Sequence, residues 1–173
     1  ALFPAIAYHW YSDSIGSTAM RVGLLTAAPA FGAAISAIIS GPLTRVTKQG
    51  AAITWSIVGW GCAIAAFGFT RQLWVGLSFL AIAGACDNIS ALYRTTMLQA
   101  AVPDEYRGRL QGVFTVVVAG GPRLGDFEAG AVAAVAGEAF SVISGGIACI
   151  VLMGALIRWH PRFMDYDSRN PTL

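Results

Sequence analysis

Three ionisable residues, Arg123, Asp126 and Glu128, fall within six positions of one another inside the apolar run Leu110–Gly137, directly behind Gly120-Gly121-Pro122. Two more, Asp87 and Arg94, interrupt the apolar stretch Trp74–Gln99. A charge at the centre of a bilayer costs ~2.5–3.5 kcal/mol on insertion scales, so such residues face protein or a water-filled path rather than lipid. Seven positions make about two helical turns, which puts Arg94 on the face of Asp87. Asp126 follows Arg123 at i+3 and can meet it on the same face, whereas Glu128 points to a different neighbour. Three carboxylates therefore share two arginines. Arginine keeps its charge on burial, whereas a buried carboxyl without a partner favours its protonated form. One carboxyl is thus free to bind and release a proton. Glu128 is the first candidate, because Arg123 can occupy Asp126, and Asp87 can reach Arg94 or, across a helix pair, Arg123. The alternative is a static cluster that pins two helices together, and the residues alone leave both readings open.

The elements that must position these charges are membrane helices. Of 173 residues 56% are hydrophobic and only 12% charged, with a mean hydropathy of +0.64. A soluble domain carries about 25% charged residues. Half that share, with several charge-free runs near 20 residues, reads as an all-α polytopic membrane protein. A net charge of +2 without a basic cluster gives no footing for nucleic acid. Cys62, Cys86 and Cys149 lie in apolar segments without metal-like spacing and read as small packing residues. Neither a metal nor another cofactor is implied. The sequence lacks a Ser/His or Cys/His arrangement, a His-x-x-x-His pair and a phosphate loop, which argues against an intramembrane enzyme and a nucleotide-driven pump.

In order, 1–8 is apolar but rises only ~12 Å as a helix, short of a ~30 Å hydrocarbon core, and reads as the end of a truncated span. The chain opens without an initiator Met, and a missing N-terminal part is expected. Residues 9–21 form a polar loop headed by Trp10 and Tyr11, an interfacial pair. Complete spans are expected over 22–43, 50–69, 74–99, 110–137 and 141–157, with a polar tail over 163–173. The first is rich in small residues (Gly23, Ala28, Gly32, Ser36, Ser40), which suits close packing on other helices, and Pro29 is a candidate kink. The short Thr70-Arg71-Gln72 loop makes its flanking spans antiparallel neighbours.

Seven loop arginines and lysines lie on the side of the C-terminus and two, Arg21 and Arg71, on the other. That bias predicts a cytoplasmic C-terminus and a periplasmic 9–21 loop. Gly120, Gly121, Pro122 and Gly125 are candidates for a kink or a tight helix contact. In Pro103–Arg109, Asp104 and Glu105 suit the first turn of a helix behind Pro103. A second reading makes Asp104, Glu105, Arg107 and Arg109 a cytoplasmic latch that pairs in one conformation only.

Taken together, Gly84-Ala85-Cys86-Asp87 with Tyr93-Arg94-Thr95-Thr96, then Pro103-Asp104-Glu105-Tyr106-Arg107-Gly108-Arg109, then Gly121-Pro122-Arg123-Leu124-Gly125-Asp126-Phe127-Glu128-Ala129-Gly130, resemble the C-terminal half of a major facilitator superfamily transporter. The branch that looks most similar is that of the bacterial drug and siderophore exporters of the enterobactin-exporter type. The resemblance covers nearly the whole chain to about Arg162. It implies a six-helix bundle whose first helix, helix 7, is truncated to 1–8, with helices 8 to 12 following. It further implies that helices 9 and 12 lie outermost, that helix 10 borders a central cavity and that helix 11 faces the other half. One departure is visible. The superfamily's cytoplasmic Gly-x-Leu-x-Asp-Arg-x-Gly-Arg motif survives only as Gly41-Pro42-Leu43-Thr44-Arg45, with Arg45 where the Asp belongs, so that motif's gating role is not carried over.

The function implied is secondary active export of a siderophore or drug-like small molecule, proton-coupled and by alternating access, in a bacterial cytoplasmic membrane. The expected partners are the lipid bilayer, the small-molecule substrate and an N-terminal six-helix half. The competing reading is a non-transporting membrane subunit that uses these helices only to pack in a larger complex.

Overall fold

The computed structural model describes residues 2–12, 14–43, 48–101 and 104–165. Within them the chain is helical throughout: α1 Phe3–His9, α2 Thr18–Leu43, α3 Gln49–Phe69, α4 Leu73–Ala101, α5 Arg107–Ala136 and α6 Glu138–Trp159. Short 3-10 turns at Asp104–Tyr106 and Pro161–Asp165 precede α5 and follow α6. The boundaries fall within a few residues of the charge-free runs. Ser17 caps α2, its Oγ accepting from the Met20 amide at 3.3 Å, and Arg21 fastens the preceding loop by donating to the Ser14 and Gly16 carbonyls at 2.7 and 2.8 Å. Hydroxyls inside the spans are satisfied locally: Thr26, Thr54, Ser78 and Thr95 each donate to the carbonyl one turn back. Gly137, at φ 89°, ends α5 and starts α6 in the left-handed conformation that only glycine adopts without cost.

Among the described residues four helices are long and apolar enough to cross a membrane: Thr18–Ile39, Gln49–Phe69, Leu73–Gln99 and Glu138–Trp159. α5 has the length, 30 residues or ~45 Å, but its charges keep it outside that group. It runs unbroken through Pro122, so the Gly-Gly-Pro sequence does not end the helix. Pro29 likewise sits inside a continuous α2.

Neighbours in space are not neighbours in sequence. α4 packs between α2 and α3, α3 packs against α6 on its other side, α5 leans on α6, and α1 lies on α2. The spatial order is α1–α2–α4–α3–α6–α5. The hairpin expected at residues 70–72 is present as α3 against α4. The helices meet where a side chain is missing. A Cβ on Gly32 would overlap the Ala81 carbonyl oxygen, and one on Gly84 would overlap that of Pro29, so α2 and α4 touch backbone to backbone. Gly61 and Gly146 do the same for α3 and α6, each 2.7–2.8 Å in Cβ terms from the other's carbonyl oxygen. These are small-residue contacts of the kind that hold helices together in lipid. A compact apolar core at the His9 end joins Ile6, Ala7, Tyr11, Leu25, Phe67, Leu73 and Leu80 from four elements.

Candidate functional site

Asp87 and Arg94 meet as their spacing predicts. Arg94 reaches back along α4 and sets Nη2 3.6 Å from Asp87 Oδ1, while its Nε lies 3.4 Å from the Ser90 carbonyl. Both side chains are exposed, Asp87 by 68%, so the pair lies on a face of α4 that the bundle does not cover. One position on, Asn88 points the other way and donates from Nδ2 to Ser36 Oγ on α2 at 2.9 Å. The Ser36 hydroxyl passes the bond to the Ala33 carbonyl at 2.8 Å. This part-buried interhelical clasp belongs to residues that the sequence reading gives no role. Ser36 counted there only as one of many small residues, and nothing local ties it to Asn88, 52 positions away. Ser90 and Tyr93, away from Asn88 around α4, are buried, and among the described residues Ser90 Oγ has no hydrogen-bond partner.

The charges of α5 lie elsewhere. Arg123, Asp126 and Glu128 are all exposed, as is every residue over 121–128. The facing pair of helices expected for Asp87 with Arg123 is not the packing found, since α5 takes α6 as its main partner and α4 sits between α2 and α3. The backbone contacts of α2 with α4 at Gly32 and Gly84, and of α3 with α6 at Gly61 and Gly146, set that order. α5 exposes apolar residues, Leu124 and Phe127 among them, beside its charges. Beyond its first turn α5 carries two carboxylates, Asp126 and Glu128, and one guanidinium, Arg123.

Gly120, Gly121 and Gly125 make no close approach: among the described residues nothing stands within 4 Å of a Cβ at any of them. The tight contacts sit instead at Gly32, Gly84, Gly61 and Gly146. Of the latch candidates, Glu105 and Arg109 are exposed at the start of α5, and the side chains of Asp104 and Arg107 lie outside the described residues. No group of His, Cys, Asp and Glu among the described residues could hold a metal ion.

A second polar cluster closes the His9 end. His9 Nδ1 and Glu138 Oε1 are 2.7 Å apart, tying the end of α1 to the start of α6. Arg71 lies 4.1 Å over the Trp10 ring, which in turn packs on Phe67. Tyr11 is buried beside them, and burial raises its phenol above the ordinary range, opposed by the positive charge of Arg71. Sequence spacing gives no access to these contacts, because His9 and Glu138 are 129 residues apart.

Comparison with known proteins agrees with the architecture. A major facilitator superfamily model described as transmembrane secretion effector matches residues 1–172. The chain is 32% identical to the enterobactin exporter EntS of Citrobacter koseri over 165 residues, covering 91% of this chain and 38% of that protein. It is 30% identical to the enterobactin exporters EntS of Escherichia coli O1:K1 and of Shigella flexneri, covering 87% of this chain and 35–36% of theirs. The chain thus spans little more than a third of the length of these relatives. No solved structure matches it. A multi-pass helical membrane protein with this pattern of intramembrane charge belongs, by a match along almost its whole length, to the transmembrane secretion effector family of the major facilitator superfamily.

Proposed function

We propose that the chain is the C-terminal half of a secondary active exporter that moves enterobactin, a related siderophore or a drug-like small molecule, with a proton as the coupling ion. The observation that carries this reading is the similarity to enterobactin exporters over nine-tenths of the chain. The order α1–α2–α4–α3–α6–α5 supports it, because one further helix grown backward from α1 would lie between α2 and α5 and complete a ring of six. A span needs about 20 residues. That helix, helix 7 in this reading, would cover the face of α5 carrying Arg123 and Asp126, with Glu128 turned to a different neighbour. A second six-helix half would then rock against this one around a midplane site. The bias of loop arginines and lysines supports a cytoplasmic C-terminus and a periplasmic His9 end, in a bacterial cytoplasmic membrane.

The mechanism assigns α5 the proton. Two carboxylates, Asp126 and Glu128, lie beside one arginine, Arg123, in the middle of that helix, so one of them, Glu128 first, can alternate between charged and neutral as its surroundings change from aqueous to closed. The Asp87–Arg94 pair keeps α4 electrically neutral beside the path, and the Asn88–Ser36 clasp holds α2 and α4 as one unit during rocking. The test is secretion by a strain lacking its own siderophore exporter. The complete polypeptide restores enterobactin to the medium under this proposal. Retention inside the cell, with the protein correctly inserted, would favour the scaffold reading.

A further inference from the structure

The connection between α3 and α4 and the Ser14–Ile15 segment enclose a groove of about 660 Å³. Its polar lining is Ser14, Thr70, Arg71 and Gln72, and its rim carries the aromatic rings of Phe69 and Trp74. Arg71 is held in place rather than waving in solvent. Its Nη1 lies 3.3 Å from the carbonyls of Gly68 and Thr70, and its guanidinium stacks on Trp10. Those bonds use Nη1, and among the described residues the Nε–Nη2 edge, the edge that binds phosphate bidentately, is left to a ligand. Glu138, the carboxylate on this end of α6, is engaged by His9.

Depth decides what the ligand is. The groove sits where the Gln49–Phe69 span ends and the Leu73–Gln99 span begins, which is the level of lipid headgroups. Phe69 and Trp74 are 74% and 60% exposed, and apolar rings at that level lie against acyl chains with their edges toward the headgroup layer. An immobilised cation, hydroxyl and amide donors, and adjoining greasy shoulders fit one molecule with a phosphate head and hydrocarbon tails. The geometry points to a binding site for the headgroup of an anionic phospholipid, with Arg71 as its phosphate ligand and Thr70 and Gln72 as further donors. The site requires only that α3 and α4 cross the membrane; that it faces the periplasmic leaflet rests on the orientation proposed above.

The experiment is amide hydrogen exchange over residues 68–76 of the complete protein in nanodiscs of phosphatidylcholine alone, phosphatidylcholine with phosphatidylglycerol, or phosphatidylcholine with millimolar inorganic phosphate in solution. Phosphatidylglycerol is expected to slow exchange of the first amides of α4 at least threefold, with inorganic phosphate alone having no effect. Arg71→Gln is expected to abolish that protection and Gln72→Ala to weaken it, while exchange across 50–65 stays unchanged and shows that the bundle is intact. Gln72→Ala keeps the test decisive if Arg71→Gln loosens its stack on Trp10. Equal exchange in the two lipid compositions, or protection that survives in both variants, overturns the site. Full protection by inorganic phosphate alone makes it a free-anion site and overturns the lipid assignment.

Discussion

Gly84→Ala adds one methyl group where α4 rests on α2. The new Cβ would overlap the Pro29 carbonyl oxygen and stand 2.6 Å from Pro29 Cα, whereas carbon atoms pack at ~3.5–4.0 Å. Relief requires the two helices to separate by about 1 Å at that level. Neither side can yield by a rotamer change, because the atoms involved are backbone. Overpacking of this kind costs ~1–3 kcal/mol. Separation would also strain the Asn88–Ser36 hydrogen bond, one turn further along α4. The assay is equilibrium unfolding of the complete protein in mixed micelles, followed by tryptophan fluorescence, with Gly121→Ala as the matched control. Gly121 has nothing within 4 Å among the described residues, and alanine is the better helix former by ~1 kcal/mol, so the control should lose nothing. Equal stability of Gly84→Ala and wild type, or equal losses for the two variants, would refute the claim that the α2–α4 crossing is a backbone contact.

Removing the α2–α4 clasp by Ser36→Ala or Asn88→Leu should cost ~0.6 kcal/mol and at most ~1.7 kcal/mol, and a double-mutant cycle should return a coupling of that size; zero coupling would mean that the bond is absent in the membrane. His9→Cys with Glu138→Cys, in a background where Cys62, Cys86 and Cys149 are serine, should crosslink efficiently with a short bifunctional thiol reagent, and a pair moved to His9→Cys with Arg158→Cys, at the far end of α6, should not. A Cβ on Gly50 would overlap the Phe163 carbonyl oxygen, so Gly50→Val should displace the Pro161–Asp165 turn and open it to protease; unchanged cleavage would show that the turn does not rest on α3.

The sequence carried the helices but not their arrangement. The helices α2, α3 and α6 were legible because a charge-free run of about 20 residues has few other physical explanations. The Asp87–Arg94 pair was legible because seven residues return to the same face of one helix, a purely local relation. The partner of each helix was not legible. Small residues recur on several faces of α2, α3 and α6, so their spacing does not say which face meets which neighbour. Gly121-x-x-x-Gly125 has the spacing of a helix contact yet meets nothing within 4 Å among the described residues, whereas Gly84 meets its partner through Pro29, a residue that reads first as a kink. The choice between Arg94 and Arg123 as the partner of Asp87 was open for a related reason: α4 and α5 are adjacent in the chain, but the order of packing puts α3 and α6 between them. His9 with Glu138 had no signal, being a contact between single polar residues at opposite ends of the chain.

The central claim is that the carboxylates at membrane depth couple transport to protons, and it is tested most directly by neutralising Asp87, Asp126 and Glu128 one at a time in the complete protein. Substrate efflux from proteoliposomes is then measured with and without an imposed pH gradient. The account predicts that at least one of the two α5 variants, Glu128→Gln first, still binds and moves substrate down its own gradient but gains nothing from the proton gradient. Asp87→Asn, which leaves Arg94 unpaired, should slow transport and keep the coupling. Three variants that all respond to the pH gradient as the wild type does would contradict it.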